Sequence, residues 1–292
     1  MFDSEQISKF EYLSLVTRKA FTGQTMAGHR NSQMCGGVEF ADYRNYVFGD
    51  DLRHLDWNVY ARLGTSLIKR FQEEGDLHVY CCLDVSRSMN NSTSLCKFTY
   101  AKQVIAALAY ISLSRFDYVS LLSFTGNFEK MYPPVRGKQH FLPLTHFLED
   151  IEIADGQTNF DTFTKEFLRR TGTPGLVLLV SDFYDKNGLD RMLDRLLSRK
   201  FEPVILQIYD PEEAAPSLRG DYCFTDAETG ITKKVTVNEA SLKRYKQCFQ
   251  NFKSFIQSSC RKHGCFCHST SIDVPFDRFI LEIARNMAAL RS

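Results

Sequence analysis

The sequence contains no apolar run long enough to cross a membrane and no excess of either charge. No apolar run approaches the roughly 20 successive residues that a transmembrane helix needs. A secretory signal has an uninterrupted apolar core, but charged residues interrupt the apolar positions of 1–21. The 36 basic and 35 acidic side chains nearly cancel, so no overall field favours nucleic acid or an anionic membrane. These absences predict a cytoplasmic protein with no membrane span and no nucleic-acid partner, which recognises its partner through a local site.

Cysteine occurs in an odd number, and its placement argues against a disulfide framework. Cys81 and Cys82, two of the nine cysteines, are adjacent in a predicted buried strand, so reduced thiols are expected. A second group combines soft metal ligands: Cys260, His263, Cys265, Cys267 and His268. Because neighbouring residues of a strand point to opposite faces, these side chains are not expected to converge on zinc, and buried free thiols are the favoured interpretation.

Short apolar segments alternate with helical patterns along most of the chain. Four segments predict buried strands: 78–84, 118–124, 176–182 and 203–209. Between or beside them, helices are predicted at 98–114, 160–170 and 189–199. This alternation favours an α/β fold with a doubly wound, mainly parallel sheet.

Further segments complete this domain and interrupt it. A short antiparallel edge strand is predicted at 128–132, closed by Pro133 and Pro134, and a long helix, a final strand and a final helix at 239–263, 265–272 and 276–290. The segment 210–216, which contains prolines and glutamates, is interpreted as a linker. Two β-rich arms around Gly230 predict a hairpin inserted at about 211–237. We therefore expect a main domain over 77–292 and an N-terminal segment, 1–76, that packs on it.

Polar residues follow two of the predicted strands at the point where each strand ends. Asp84 ends the first strand and is followed by Ser86 and Ser88, and Asp182 ends another strand. The carboxyl ends of parallel strands meet at one edge of a sheet, where ligands bind, and a loop before a helix places Thr158 within reach of that edge. Residues i, i+2 and i+4 of such a segment project to one side, so the five side chains are expected to converge.

The chemistry of these five side chains is that of a site for a hard divalent cation. Two carboxylates and three hydroxyls offer only oxygen ligands and two negative charges, which suit Mg²⁺ or Mn²⁺ and not zinc. The sequence therefore predicts a metal site at Asp84, Ser86, Ser88, Thr158 and Asp182, and no catalytic residue is assigned.

These residues resemble a known family. The segment 84–88 (DVSRS), Thr158 and the pair Ser181 and Asp182 look like the D-x-S-x-S, Thr and Asp elements of the von Willebrand factor A fold. Further segments resemble the signature of the bacterial group called domain of unknown function 58: GVEFADYR at 37–44, YVFGDDLRHLDW at 46–57, AR at 61–62, YPPVRG at 132–137 and DAETG at 226–230.

The resemblance implies a metal-ion-dependent adhesion site and a function in protein binding. In such a site Ser86 and Ser88 would ligate Mg²⁺ through their hydroxyls, Thr158 directly or through water, and Asp84 and Asp182 largely through water. An acidic side chain of a partner protein would fill the open position of the metal. The group also resembles proteins that work beside MoxR-type AAA+ ATPases, which implies such an ATPase, or its client, as the partner of an adaptor or substrate-recognition protein.

Other interpretations stay open beside this one. A Mg²⁺-dependent phosphohydrolase of the haloacid dehalogenase type also begins its site with an aspartate at a strand end, but it needs a second acid two residues later, where this chain has Ser86. A scaffold with a purely structural metal is a third possibility. The charged segment 43–62, which contains the sole tryptophan, Trp57, is interpreted as an internal ion-pair and packing network, with a partner surface as the alternative.

Overall fold

The computed structural model describes residues 4–21, 38–47, 55–73, 77–90, 96–156, 158–185, 188–225 and 230–289. Its strands are β1 (Val38–Asn45), β2 (Leu67–Glu73), β3 (His78–Asp84), β4 (Tyr118–Phe124), β5 (Phe128–Arg136), β6 (Leu176–Ser181), β7 (Glu202–Tyr209), β8 (Gly220–Thr225), β9 (Thr232–Val237) and β10 (Phe266–Ser271). Its helices are α1 (Ser4–Phe21), α2 (Trp57–Leu63), α3 (Lys97–Ser114), α4 (Phe141–Glu149), α5 (Phe160–Arg170), α6 (Leu189–Ser198), α7 (Pro211–Ala214), α8 (Glu239–Lys262) and α9 (Phe276–Ala289).

A six-stranded sheet in the order β10-β7-β6-β3-β4-β5 organises the larger part of the chain. All neighbouring strands run parallel except β5, which is antiparallel to β4 at the edge of the sheet. The predicted fold class, a mainly parallel α/β sheet with one antiparallel edge strand, is thereby confirmed. The four apolar segments that predicted buried strands form β3, β4, β6 and β7 with ends within one residue of those expected.

Two apolar cores cover the two faces of this sheet. Alternate residues of β3 divide between them: Val79, Cys81 and Leu83 face the core formed with α1, α3, α4 and α9. Tyr80 and Cys82 face the core formed with α5, α6 and α8. Because both faces are covered, the strands are apolar throughout instead of alternating with polar residues, as expected for parallel strands.

The edge strand is longer than its prolines predicted. We expected it to span 128–132 and to close at Pro133 and Pro134, but β5 continues to Arg136. Tyr132 pairs with Leu121 and Val135 with Val119, so both prolines oppose a single residue of β4 in a β-bulge. Proline has no backbone N–H to donate to a neighbouring strand. A bulge in an edge strand leaves residues unpaired, so the two prolines fit there without the loss of a hydrogen bond.

The inserted segment forms the predicted hairpin and one further element. Strands β8 and β9 pair antiparallel as a separate two-stranded sheet, while most of the predicted turn, 226–229, lies outside the described residues. Before the hairpin, α7 begins at Pro211 with a capping box in which Asp210 and Glu213 satisfy each other's backbone donors. The segment 210–216 was expected to be a linker, so this short helix is a correction.

The first 76 residues divide between two compact units. One unit combines 1–23 with 77–292, and the other comprises 24–76. Phe10 of α1 is fully buried, and its ring centroid lies 6.2 Å from that of Tyr110, 5.8 Å from Phe141 and 5.7 Å from Phe276. Neither α1 nor any other helix in the described part of the chain is long and apolar enough to span a membrane.

The second unit contains the charged segment that surrounds the tryptophan. Strands β1 and β2 pair antiparallel, and the buried Asp56 caps α2 by accepting hydrogen bonds from the backbone nitrogens of Asn58 and Val59. The hydroxyl of Tyr43 donates to the other oxygen of Asp56 at 2.8 Å. Trp57 is 60% exposed, so in the described part of this segment these buried polar contacts belong to Asp56 and not to the tryptophan.

Helix α1 should contribute substantially to stability although it precedes the sheet by a long stretch of chain. We expect Phe10→Ala to lower the free energy of unfolding by about 3–5 kcal/mol, because it leaves a cavity among aromatic rings. Tyr12→Ala, at a position that is 61% exposed on the same helix, should change it by about 0.5 kcal/mol or less. Urea denaturation of both variants measures the difference, and equal midpoints would show that α1 does not belong to the folded core.

Candidate metal centre

The candidate site lies at the switch point of the sheet. From β3 the chain continues to β4 on one side, whereas β6 pairs with the other side of β3. In open α/β sheets, ligands bind outside the carboxyl ends of the strands at such a point. Asp84 is the last residue of β3, and Asp182 directly follows β6, so the fold brings the two predicted carboxylates to the same edge.

Asp84 is the most extensively bonded residue of the cluster. It is fully buried; its Oδ1 accepts from the backbone nitrogen of Ser86 at 2.9 Å, and its Oδ2 accepts from the hydroxyl of Ser181 at 2.6 Å. Burial and the neighbouring charge of Asp182 raise the pKa of Asp84 from 3.8 to about 7, although these hydrogen bonds act in the opposite direction. A charge is therefore costly at this position without a compensating cation.

The two predicted serines converge. Ser86 and Ser88 are both buried, and their hydroxyl oxygens lie 3.0 Å apart. Ser88 belongs to a single 3₁₀ turn, Arg87–Asn90, in which the backbone nitrogen of Met89 donates to the carbonyl of Ser86 at 3.1 Å. The turn follows β3 after only two residues, Val85 and Ser86, so the hydroxyls lie beside Asp84.

Thr158 reaches the cluster from a separate loop. Its hydroxyl lies 3.5 Å from Oδ2 of Asp84, the longest of the contacts to that carboxylate. The loop is tied to the turn after β3, because the backbone nitrogen of Ala154 donates to the carbonyl of Val85 at 2.8 Å and Arg87 pairs with Asp155 at 2.8 Å. Gln157, the residue before Thr158, lies outside the described residues.

Asp182 has one oxygen engaged and one without a partner. Its Oδ2 accepts from the ammonium group of Lys97 at 2.9 Å. Its Oδ1 is buried and has no hydrogen-bond partner among the residues that the structure describes. Buried carboxylate oxygens are nearly always satisfied by protein, water or an ion, so this atom is available to water or to a bound cation.

The residue after Asp182 adopts a conformation that is unusual for its type. Phe183 has a φ of 62°, in the left-handed region that costs a non-glycine residue about 1–2 kcal/mol. Its backbone nitrogen donates to the hydroxyl of Ser181 at 2.9 Å, and its buried ring stacks on that of Phe160 at 5.2 Å. These contacts hold the strained turn that follows β6.

Sequence reasoning missed Lys97 and Glu213. Lys97, the first residue of α3, is fully buried, and it pairs with Glu213 at 2.6 Å as well as with Asp182. The sequence offers only weak signals for them: a lysine that opens an apolar helix, and an acid three residues after Asp210 in a capping box. Neither signal indicates that the two residues meet.

The donor chemistry of the cluster fits a hard divalent cation. In the described part of the chain, no three histidine, cysteine or carboxylate side chains come together as a metal site of those ligands would require. The cluster at the sheet edge instead combines two carboxylates with hydroxyls, and oxygen ligands of this kind, completed by water, suit Mg²⁺ or Mn²⁺. The residues that could hold such an ion are Asp84, Ser86, Ser88, Thr158 and Asp182.

Three of the soft ligands near the C-terminus, Cys260, Cys265 and Cys267, lie together, but the five do not converge. Cys260, Cys265 and Cys267 are free thiols that lie in or against the core beside α8. His263 instead contacts Asp194 at 3.0 Å, and the ring of His268 stacks on Phe279 of the opposite core. The predicted separation of these side chains between two faces is confirmed.

The raised pKa of Asp84 predicts a pH-dependent cost in the metal-free protein. The folded state keeps the proton of Asp84 to about pH 7, whereas the unfolded chain releases it near pH 4, so this group destabilises the fold progressively as the pH rises through that interval. Asp84→Asn removes the charge, so we expect the variant to gain in melting temperature relative to wild type between pH 5 and pH 8 in EDTA.

The control for this measurement is Asp155→Asn, which removes a carboxylate that is 83% exposed. Thermal melts of the three proteins at both pH values measure the effect. If the difference between wild type and Asp84→Asn is the same at pH 5 and at pH 8, the burial of the Asp84 charge is not the source of the cost.

Comparison with known proteins identifies relatives along almost the whole chain. The protein named "Uncharacterized protein Rv1480" from Mycobacterium tuberculosis is 22% identical, over 99% of this chain and 91% of the relative. "Uncharacterized protein Mb1516" from Mycobacterium bovis matches equally well. Neither name describes a function.

Three solved structures resemble the fold at low identity. BatB from Bacteroides thetaiotaomicron has a TM-score of 0.47 at 14% identity, over 74% of this chain and 98% of that protein. The SpRpn10 VWA domain has a TM-score of 0.43 at 13% identity, over 72% and 98%. PTMP1 from the mussel byssus, described with a zinc-occupied MIDAS motif, has a TM-score of 0.42 at 12% identity, over 73% and 46%.

A family model covers most of the chain, including all five candidate residues. The match runs from residue 42 to residue 252, from β1 into α8, and so includes both Asp84 and Asp182. The expectation drawn from the motifs at 37–44 and 46–57 is confirmed. This chain belongs to the family described as "Protein of unknown function DUF58".

Proposed function

We propose that this protein is a metal-dependent protein-binding module whose cation lies among Asp84, Ser86, Ser88, Thr158 and Asp182. The observation that carries the proposal is the buried Oδ1 of Asp182, which has no partner among the described residues, beside a second buried carboxylate and two converging hydroxyls. A hard divalent cation, with the water molecules bound to it, would satisfy this oxygen and relieve the repulsion between the carboxylates.

The residues of the site divide into two roles. Ser86 and Ser88 offer hydroxyls as direct ligands, and Thr158 acts directly or through water. Asp84 and Asp182 act largely through water, since hydrogen bonds already engage both oxygens of Asp84 and one oxygen of Asp182. A bound Mg²⁺ or Mn²⁺ would supply an open coordination position, which an acidic side chain of a partner protein fills.

Binding is favoured over hydrolysis by the residue two positions after Asp84. A phosphohydrolase of the haloacid dehalogenase type needs an acid there to protonate the leaving group, and the buried Ser86 is no such acid. We therefore propose that the protein is not an enzyme. Turnover of a phosphate ester that disappears in Asp84→Asn would instead favour the phosphohydrolase.

The double variant Ser86→Ala with Ser88→Ala tests the metal assignment. We expect it to lose measurable Mg²⁺ and Mn²⁺ binding in calorimetry, because both direct hydroxyl ligands are removed. The matched control is Ser120→Ala with Ser123→Ala, which removes two buried hydroxyls from the neighbouring strand β4. Unchanged affinity in the first double variant, with both proteins folded by circular dichroism, would contradict the site.

A MoxR-type AAA+ ATPase, or its client, is the partner that we propose, and the protein would serve it as an adaptor or substrate-recognition factor. The support is the resemblance of this group to proteins that work beside such ATPases, together with the position of the cluster at the edge of the sheet. The chemistry that recognises the partner is a glutamate or aspartate that it offers to the cation.

Capture by immobilised protein tests this partner. We expect a purified MoxR-type ATPase from the same organism, or a client protein supplied with it, to be retained in Mg²⁺ and released by EDTA. Asp182→Ala should weaken capture, while Lys233→Ala, which alters an exposed charge of the hairpin, should not. Equal capture in EDTA by wild type and by the Ser86 and Ser88 double variant would favour a scaffold whose metal, if any, is structural.

A further inference from the structure

Lys97 is a fully buried cation that contacts the candidate site. Its ammonium group lies 2.9 Å from Oδ2 of Asp182 and 2.6 Å from Oε1 of Glu213, and its side chain has no exposed surface. The ring of Tyr184 lies on a further side, with its centroid 5.3 Å from the ammonium nitrogen. A single lysine therefore joins a candidate metal ligand to the first element of the inserted segment.

Burial and the helix dipole both disfavour a positively charged lysine at this position. Lys97 is the first residue of α3, where the helix dipole opposes a positive charge, and removing an ammonium group from water is costly. Two carboxylates offset this cost. An apolar residue of similar length would avoid it altogether, and it would leave Asp182 and Glu213 without their shared cation.

The lysine alters both the orientation and the charge of the site. By engaging Oδ2, it fixes the carboxylate of Asp182 so that Oδ1 is the oxygen without a partner. It also offsets part of the negative charge of Asp182 and Glu213, the two carboxylates that it contacts. A cation that enters the site would therefore meet a positive charge in contact with one of its ligands.

We propose that Lys97 is a positioning residue that orients Asp182 and weakens the hold of the site on a divalent cation. Firm binding of the cation then requires the carboxylate of the partner. This inference deepens the proposed function and rests on it.

Glu213 balances the effect of Lys97 from the inserted segment. One of its oxygens accepts from Lys97, and the other accepts from the backbone nitrogen of Asp210 at 3.1 Å, inside the capping box of α7. Because Glu213 shares the ammonium group, it reduces the charge that Lys97 directs at Asp182. Neutralising Glu213 should therefore have the opposite effect on the metal to neutralising Lys97.

Titration of the full-length protein with Mn²⁺, followed by electron paramagnetic resonance of the free ion, tests the proposal. We expect Lys97→Met to lower the Kd for Mn²⁺ by about tenfold or more, since a nearby like charge opposes a divalent cation strongly in a buried site. Glu213→Gln should raise the Kd. The double variant Lys97→Met with Glu213→Gln keeps the formal charge of wild type and should return the Kd toward the wild-type value.

Two further measurements separate charge from structure. Glu212→Gln removes the same charge from the exposed neighbouring residue and should leave the Kd within about twofold, because exposed charges are screened. In thermal melts, Lys97→Met should be less stable than wild type in EDTA and should gain more from Mn²⁺. A lysine with a purely structural role would lose stability without this larger gain.

The outcomes are distinct. If Lys97→Met folds and binds Mn²⁺ no more tightly than wild type, the proposal is wrong. If that variant does not fold, Glu213→Gln decides: a Kd equal to that of Glu212→Gln overturns the proposal. Absence of Mn²⁺ binding in wild type and in Lys97→Met alike overturns the proposed function itself, whereas binding without the expected order among the variants overturns only the role of Lys97.

Discussion

Two carboxylates buried side by side at the end of a sheet repel each other, and the surroundings of Asp84 and Asp182 are arranged around that repulsion. Burial raises the pKa of Asp84, and the charge of Asp182 raises it further. The two carboxylates are stabilised differently. Asp84 accepts hydrogen bonds from a hydroxyl and a backbone nitrogen, whereas Asp182 accepts one from a lysine. Oδ1 of Asp182 has no hydrogen-bond partner among the described residues. The proposed cation would interact with this oxygen and offset the remaining negative charge.

The residues that offset the charge of Asp182 come from distant parts of the chain. Lys97 opens the helix after the D-x-S-x-S turn, and it contacts Asp182 and Glu213 across 85 and 116 residues of sequence. The inserted segment is therefore not peripheral, because its first helix holds the partner of the buried lysine. Any change in this segment that moves Glu213 would alter the electrostatics of the site without touching a proposed metal ligand.

The parts of the structure that were predictable from the sequence are those set by local pattern. The strand at 78–84 is apolar throughout because both faces are covered, and its terminal Asp84 follows from where the pattern stops. The bulge that accommodates Pro133 and Pro134 depends on register with β4, which no local pattern specifies. The contacts of Lys97 likewise depend on tertiary packing, so a lysine beside an apolar helix was no guide to its partners.

In the proposed function, metal binding and partner binding are a single linked equilibrium. If a partner carboxylate tightens the hold on the cation by some factor, the cation must tighten the hold on the partner by the same factor. A site with very high intrinsic affinity for the cation would stay occupied at any partner concentration, and the metal would then contribute little as a control of binding. In this proposal, the positive charge of Lys97, buried against Asp182, lowers the intrinsic affinity for the cation. Glu213 shares that charge, so the pair determines how strongly metal binding depends on the carboxylate of the partner.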